Sequence, residues 1–233
     1  MVNDGGTSMA GIAAGGAHTC AIYPDKSSSL MCWGDNTYGQ MGVNFVGGNS
    51  NVPQAVVDIP GYGPGEWLFV ATGTFNTCGT ITATGTFCWG AASYGANGND
   101  NLVNNMLMPY QMVLAEAAPI GIAGKYNTFY AWNAEGVLFA WGDNSSGQTG
   151  LLDAPAIVAV ATAVEITGVK AIAPGKDFGL ALQTNNNIFS FGSNDSGQLG
   201  IASTAAVNGP QQVAGQWTSI GAGGSVAYAV GAL

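Results

Sequence analysis

Four cysteines offer the clearest chemistry in this 233-residue chain. Cys20 and Cys78 each lie five residues beyond a glycine, Gly15 and Gly73, while Cys32 and Cys88 stand directly before Trp33 and Trp89. The corresponding places later in the chain read as Phe129 with Ala140 and Leu180 with Ser190, so the thiols come and go in pairs. On neighbouring antiparallel strands, directly opposed Cα atoms lie about 4.5–5.5 Å apart, within disulfide range. The expected bridges are therefore Cys20–Cys32 and Cys78–Cys88. Four small buried thiols are the competing reading. A zinc site fits poorly, because there is no Cys-x-x-Cys and His18 is the one histidine. Disulfides would place the chain in oxidising surroundings, whereas free thiols would suit the cytosol.

His18 has no partner set for catalysis. A catalytic histidine needs a nucleophile and an orienting acid, and no Gly-x-Ser-x-Gly or similar motif accompanies it. Asn76 and Asn127 occupy its place in later copies, which points to a structural hydrogen bond. Asp35, Asn36, Asp143, Asn144, Asn194 and Asp195 bring oxygen ligands together, yet none follows the Asp-x-Asp-x-Asp-Gly spacing of a calcium loop. Such residues before glycine form turns. Asn144-Ser145-Ser146 and Asn194-Asp195-Ser196 match the glycosylation pattern, a short and weak signal. The expectation is a chain without catalytic residues, bound metal or cofactor.

The elements that position these residues repeat. Trp33-Gly34-Asp35-Asn36-Thr37-Tyr38-Gly39-Gln40-Met41-Gly42 returns as Trp141 to Gly150, as Phe191 to Gly200 and, in degenerate form, as Trp89 to Gly98. The starts lie 56, 52 and 50 residues apart. A second half recurs at Gly15, Gly73, Gly124, Gly175 and Gly223, each after a short apolar run. A period of this size marks a repeat architecture. Each unit reads as four short strands. The second and third are joined by turn formers such as Asp25-Lys26-Ser27 or Ala83-Thr84-Gly85, and the third runs into the Trp-Gly box. The fourth is expected to follow a proline: Pro53, Pro109, Pro155 or Pro210.

These strings resemble the regulator of chromosome condensation repeat, with its Ala-x-Gly…His-Thr-x-Ala-Leu half and its Trp-Gly-x-Asn-x-x-Gly-Gln-Leu-Gly half. The resemblance runs from about Ala10 to Val230 and implies a β-propeller, usually of seven blades. This chain has four complete repeats and a half. We therefore expect an all-β fold, a single β-propeller of four to five four-stranded blades, with the last blade incomplete or completed by a partner. The repeats span about 10–66, 67–118, 119–167 and 168–215, and the half-repeat spans 216–233. The ring is either small and irregular or open at its fifth blade, whose bare strand edges a neighbouring subunit would cover.

Composition narrows the function. Only 7% of residues are charged, none is arginine, and the net charge is −9. Nucleic acid and anionic membrane surfaces are poor partners for such a chain. Met1 to Met9 lacks the basic and apolar regions of a signal peptide, and the apolar run Ala154 to Val164 is too short to insert in a membrane. The expected function is a non-enzymatic protein-interaction or structural module that is extracellular, at the cell surface or in a virion, for example an attachment or capsid-decorating component. Its partners would be proteins, among them its own subunits. Trp33, Trp89, Trp141 and Phe191 read as packing residues. Phe45, Tyr62, Trp67 and Tyr110 fall outside the repeat frame, which makes them the candidate protein-binding residues. The resemblance implies two alternatives: an enzyme inhibitor acting through one propeller face, as in a β-lactamase inhibitory protein of this type, and a guanine-nucleotide exchange factor-like regulator.

Overall fold

The computed structural model describes residues 9–24, 29–62, 66–81, 85–112, 114 and 119–231. The turn residues 25–27 and 83–84 and the polar stretch 1–8 lie outside them. Four antiparallel sheets follow one another along the chain. The first holds β1 Gly11–Ala14, β2 His18–Ile22, β3 Leu30–Gly34 and β4 Ser50–Ala55. The second holds β5 Trp67–Thr72, β6 Asn76–Ile81, β7 Gly85–Gly90 and β8 Met106–Gln111. The third holds β9 Pro119–Lys125, β10 Thr128–Asn133, β11 Leu138–Asp143 and β12 Ile157–Ala163. The fourth holds β13 Val169–Pro174, β14 Phe178–Gln183, β15 Ile188–Gly192 and β16 Val207–Val213. A fifth sheet has two strands, β17 Trp217–Gly223 and β18 Val226–Gly231. Within each sheet the strands lie side by side in chain order.

Each sheet is a propeller blade packed face to face on the next. The first strands converge, so that Ala13, Val70, Ile122, Pro174 and Ala222 line a common channel of about 290 Å³. No two sheets share a strand pairing; successive first strands pack on one another from β1 to β17, with no comparable contact between β17 and β1 among the described residues, so the blades form an open arc. The fifth sheet has two of a blade's four strands, as the half-repeat led us to expect.

The core lies between blades. Cys20, Ile22, Leu30 and Cys32 of the first blade pack against Trp67, Phe87 and Trp89 of the second. Trp141 and Phe129 stack nearly parallel at 5.9 Å in the next layer. The glycine of each box has a backbone reason. Gly34, Gly90, Gly142 and Gly192 have φ between 102° and 106°. A Cβ there would come within 2.4, 2.2, 2.0 and 2.4 Å of the carbonyls of Ala17, Phe75, Asn127 and Asp177. Only glycine meets both demands.

Two sequence assignments shift. In the third blade Tyr130, not Phe129, lies opposite Ala140 and holds the place of Cys20. Thr128, not Asn127, faces the box glycine as His18 does. The cause is the place of the glycine: Gly124 lies opposite Phe129 as Ala14 lies opposite Thr19, so it stands one position earlier in its strand than Gly15, and Lys125 takes the place of Gly15 opposite Thr128. The prolines also move. Pro53, Pro109 and Pro210 lie inside the fourth strands, at the bulge opposite the box aromatic, while Pro155 precedes its strand. A bulge on an edge strand leaves no ladder hydrogen bond for proline to break, which is why it is tolerated there.

Candidate protein-interaction surface

The two cysteine pairs are bonded as the strand register dictates. Cys20 lies opposite Cys32 and Cys78 opposite Cys88, each pair with Cα atoms 4.1 Å apart and S–S distances of 2.11 and 2.14 Å. All four are fully buried between blades. They staple hairpins with sequence separations of 12 and 10, for which loop-closure entropy alone gives about 3 kcal/mol each. They offer no reactive thiol.

His18 is buried. The hydroxyl of Thr77 donates to the Gln40 carbonyl at 2.8 Å, so it accepts a hydrogen bond from His18 Nε2–H at 2.9 Å. His18 Nδ1 is buried without a partner among the described residues. Burial lowers the imidazole pKa to about 4, with Asp35 opposing the shift. The ring is a neutral tie between the first two blades.

The box oxygens are also committed. Asn36 holds its loop closed by donating to the Phe45 and Gly47 carbonyls and accepting from the Met41 amide. Asn144 and Asn194 repeat the clamp on Pro155 and on Ser203 and Ala205. Both are buried, which removes them as glycan acceptors. Burial pushes the Asp35 carboxyl up, but hydrogen bonds from Thr37 and Gln40 outweigh it and hold it below its ordinary value. Among the described residues no group of three or more metal-ligating side chains comes together.

A further contact repeats between blades. The last glycine of each of the first three boxes receives the aromatic of the next blade. A Cβ on Gly42, Gly98 or Gly150 would lie 2.8–3.0 Å from Trp89 or Phe191 ring atoms or the Met112 methyl beside Trp141. Trp89 Nε1 donates to the Gln40 carbonyl at 2.9 Å, and Trp141 Nε1 donates to that of Ala96 at 3.1 Å. Phe191 has no N–H to give, and the Tyr130 hydroxyl donates to the Gln148 carbonyl in its stead. Burial raises the pKa of that phenol and keeps it a donor.

The four predicted binding aromatics do not form one patch. Trp67 is a correction: only 7% exposed, it opens β5 and packs edge-on against Phe87 and Trp89. It fills the gap between two blades, a place the repeat frame did not show. Tyr62 is partly exposed, packs on Phe87 and donates to Gln111 Oε1 at 2.9 Å. Tyr110 is exposed on the outer strand β8. Phe45 is exposed at the other end of the blades, on the loop after the first box.

That end carries residues the sequence reading missed. The loop after the first box is pinned to the second blade by Asn44 N–H to the Leu107 carbonyl at 2.9 Å, and it exposes Phe45 and Val46. The loop after the second box is pinned to the third blade by Asp100 N–H to the Ala159 carbonyl at 3.0 Å. Asn101 Oδ1 accepts from the Val103 and Asn104 amides, a tight turn that leaves Val103 84% exposed beside Leu102. Leu152 of the third loop leans on Gly209 of the fourth blade and is exposed. The legible signal was two apolar residues bracketed by Asn99–Asp100–Asn101 and Asn104–Asn105.

Known proteins share these features. The family description "Regulator of chromosome condensation (RCC1) repeat" matches residues 10–40 and again 185–230. The chain is 29% identical over 215 residues to the rat probable E3 ubiquitin-protein ligase HERC4, covering 89% of this chain and 20% of the ligase. It is 28% identical over 205 residues to the ultraviolet-B receptor UVR8 of Arabidopsis thaliana, covering 86% of this chain and 44% of the receptor. Among solved structures, yeast RCC1 (Prp20) bound to Kap60 superposes with a TM-score of 0.81 at 20% identity, over 97% of this chain and 55% of that one. The chain thus spans less than half the length of these curated relatives.

Proposed function

For this chain, an arc of propeller blades of the regulator of chromosome condensation repeat type, we propose a role as a protein-interaction module that works through the box-end loops. One observation carries the reading. Successive loops are pinned by backbone hydrogen bonds to the neighbouring blade and present apolar tips, Phe45–Val46, Leu102–Val103 and Leu152, to solvent. Pinned loops lose little entropy on binding, and apolar tips on a rigid scaffold suit a protein partner. Yeast RCC1, which shares this fold, has been seen bound to Kap60, and this supports a protein as the partner. The ligase named for HERC4 belongs to a protein of which this chain spans a fifth, and it is not carried over.

The site of action we propose is outside the reducing cytosol: secreted, at a cell surface or on a virion. The buried bridges and the scarcity of charge support it. A guanine-nucleotide exchange factor-like role is the second reading, favoured by the likeness to yeast RCC1. Crosslinking mass spectrometry with a photoreactive residue at 103 tests the surface. Adducts should form there and vanish when Phe45→Asp and Leu152→Asp are added at unchanged melting temperature. Unchanged adducts would move the interaction elsewhere, and stimulated nucleotide release from a small GTPase would favour the second reading.

A further inference from the structure

The turn after the first strand is built on glycine in four blades and on lysine in one. Gly15, Gly73 and Gly175 donate their amides to the carbonyls of His18, Asn76 and Phe178, and Gly223 pairs with Val226. In the third blade Lys125 holds that place, opposite Thr128. Glycine is required at 15 and 73 because a Cβ would come within 2.4 and 2.3 Å of the Gly73 and Tyr126 carbonyls of the next blade. Hydrogen bonds from turn to turn hold the blades this close. The Gly16 amide donates to the Gly73 carbonyl at 3.2 Å, Thr74 to Tyr126 at 2.6 Å and Lys176 to Gly224 at 2.8 Å. Among the described residues no such bond joins the third turn to the fourth, and a side chain is tolerated at 125. Tyr126 follows at φ 51° with its ring 39% exposed. A bulky residue in the left-handed region is strained, and such strain gathers at functional sites.

This turn borders a cleft of about 150 Å³ between the first three blades, lined by Gly15, Thr72, Gly73, Thr74, Lys125 and Tyr126 among others. The cleft lies at the box end, since the same turns carry the Ala17, Phe75 and Asn127 carbonyls that meet the box glycines. Two polar groups in it are unspent. Lys125 is half-buried and makes neither a hydrogen bond nor an ion pair among the described residues. By contrast, Lys170 donates to Asn186 Oδ1 at 2.8 Å and Lys176 pairs with Asp177 at 3.6 Å. Thr72 is only 5% exposed, yet its hydroxyl has no partner among the described residues. A buried hydroxyl without a hydrogen bond costs stability unless solvent or a ligand meets it.

Volume and donors restrict the occupant. Sites for cofactors and drug-sized molecules run to about 300–1,000 Å³, well above this cleft. The amides of Gly15, Gly16, Gly73 and Thr74 are all spent inside the protein, so they leave no nest of free N–H groups for a phosphate. One ammonium, one hydroxyl and a tyrosine ring suit a single carboxylate on a short side chain. We propose that the cleft receives an aspartate or glutamate of the protein docked on the box-end face. Its carboxylate sits on Lys125 Nζ and the Thr72 hydroxyl, and its neighbouring chain packs on Tyr126. The identity of the occupant rests on the box-end reading of function, but carboxylate binding is measurable without the partner.

The probe is N-acetyl-glutamate N-methylamide, titrated into the whole protein at millimolar concentration and followed by the NMR signals of the lysine ε-methylenes and threonine methyls. Lys125 and Thr72 should shift saturably, and the uncharged N-acetyl-glutamine N-methylamide should leave both in place. Lys125→Met should weaken binding about tenfold, as loss of a charge-assisted hydrogen bond does. Thr72→Val should weaken it about threefold at an unchanged or higher melting temperature, because the hydroxyl removed has no partner within the fold. No saturable shift, equal shifts with the glutamine probe, shifts at Lys170 matching those at Lys125, or indifference to Lys125→Met would each overturn the proposal. N-acetyl-alanine, whose carboxylate is a chain terminus, separates the sources: if it alone binds, the side-chain assignment falls. The crosslinks at residue 103 do not depend on the cleft. Their failure with intact probe binding would count against the box-end reading and leave the carboxylate site standing.

Discussion

His18 shows how a residue that sequence reading marks for chemistry becomes structural once its neighbours are known. Its Nε2–H is tied to Thr77, its Nδ1 is buried without a hydrogen-bond partner among the described residues, and burial holds its pKa at about 4 against 6.5 for the free side chain. The unfolded chain therefore takes up the proton first. The stabilisation is complete above pH 6.5 and is lost as the pH falls towards 4, a difference of about 3 kcal/mol at most. Denaturant unfolding at pH 7 and pH 4.5 should show this loss in the natural protein and a much smaller one in His18→Asn, the residue found at the same position of the second blade. An equal acid slope in both would place the acid-sensitive group elsewhere.

At the scale of the element, one motif residue has different costs in different blades. Trp89, Trp141 and Phe191 are fully buried because a preceding blade covers each ring, whereas Trp33 heads the first blade and is only partly buried. Trp141→Ala should destabilise by about 3–5 kcal/mol, the usual cost of deleting a large core aromatic. Trp33→Ala should cost less, about 2 kcal/mol, since part of its ring is already in water. Chemical denaturation of the two variants checks the ranking, and equal losses would mean that the motif stabilises its own sheet and not the blade interface. The box asparagines are elements in miniature: each one closes a loop of about ten residues through its two side-chain groups, with the amide donating outward and the carbonyl accepting the amide five residues on. That pinning turns long loops into rigid ones.

Among the described residues, blades pack chiefly on their sequence neighbours, the condition under which stability becomes a sum of unit and interface terms. The second and third blades are covered on both faces, while β17 and β18 form half a blade at one end of the arc. Amide exchange should therefore be graded: slowest in β6, β10 and β11, and fastest in β17 and β18. Uniform protection across all strands would show that the arc unfolds as one cooperative body and that the open blade is covered in solution.

The sequence by itself determined the repeat period, the four-strand unit, the half-repeat of the fifth blade and the pairing partners of the cysteines. Each follows from patterns local to one unit: strand alternation, glycine where φ is positive, and opposed positions on one hairpin. Tertiary structure decided what depends on the neighbouring blade. It buried Trp67 against Phe87 and Trp89, moved the third-blade equivalence from Phe129 to Tyr130 because Gly124 stands one position earlier in its strand, and set Pro53, Pro109 and Pro210 at bulges. It also left Val103 in the open. A residue's own repeat encodes its strand, but its burial is set by a sheet some fifty residues away, and no local pattern carries that information.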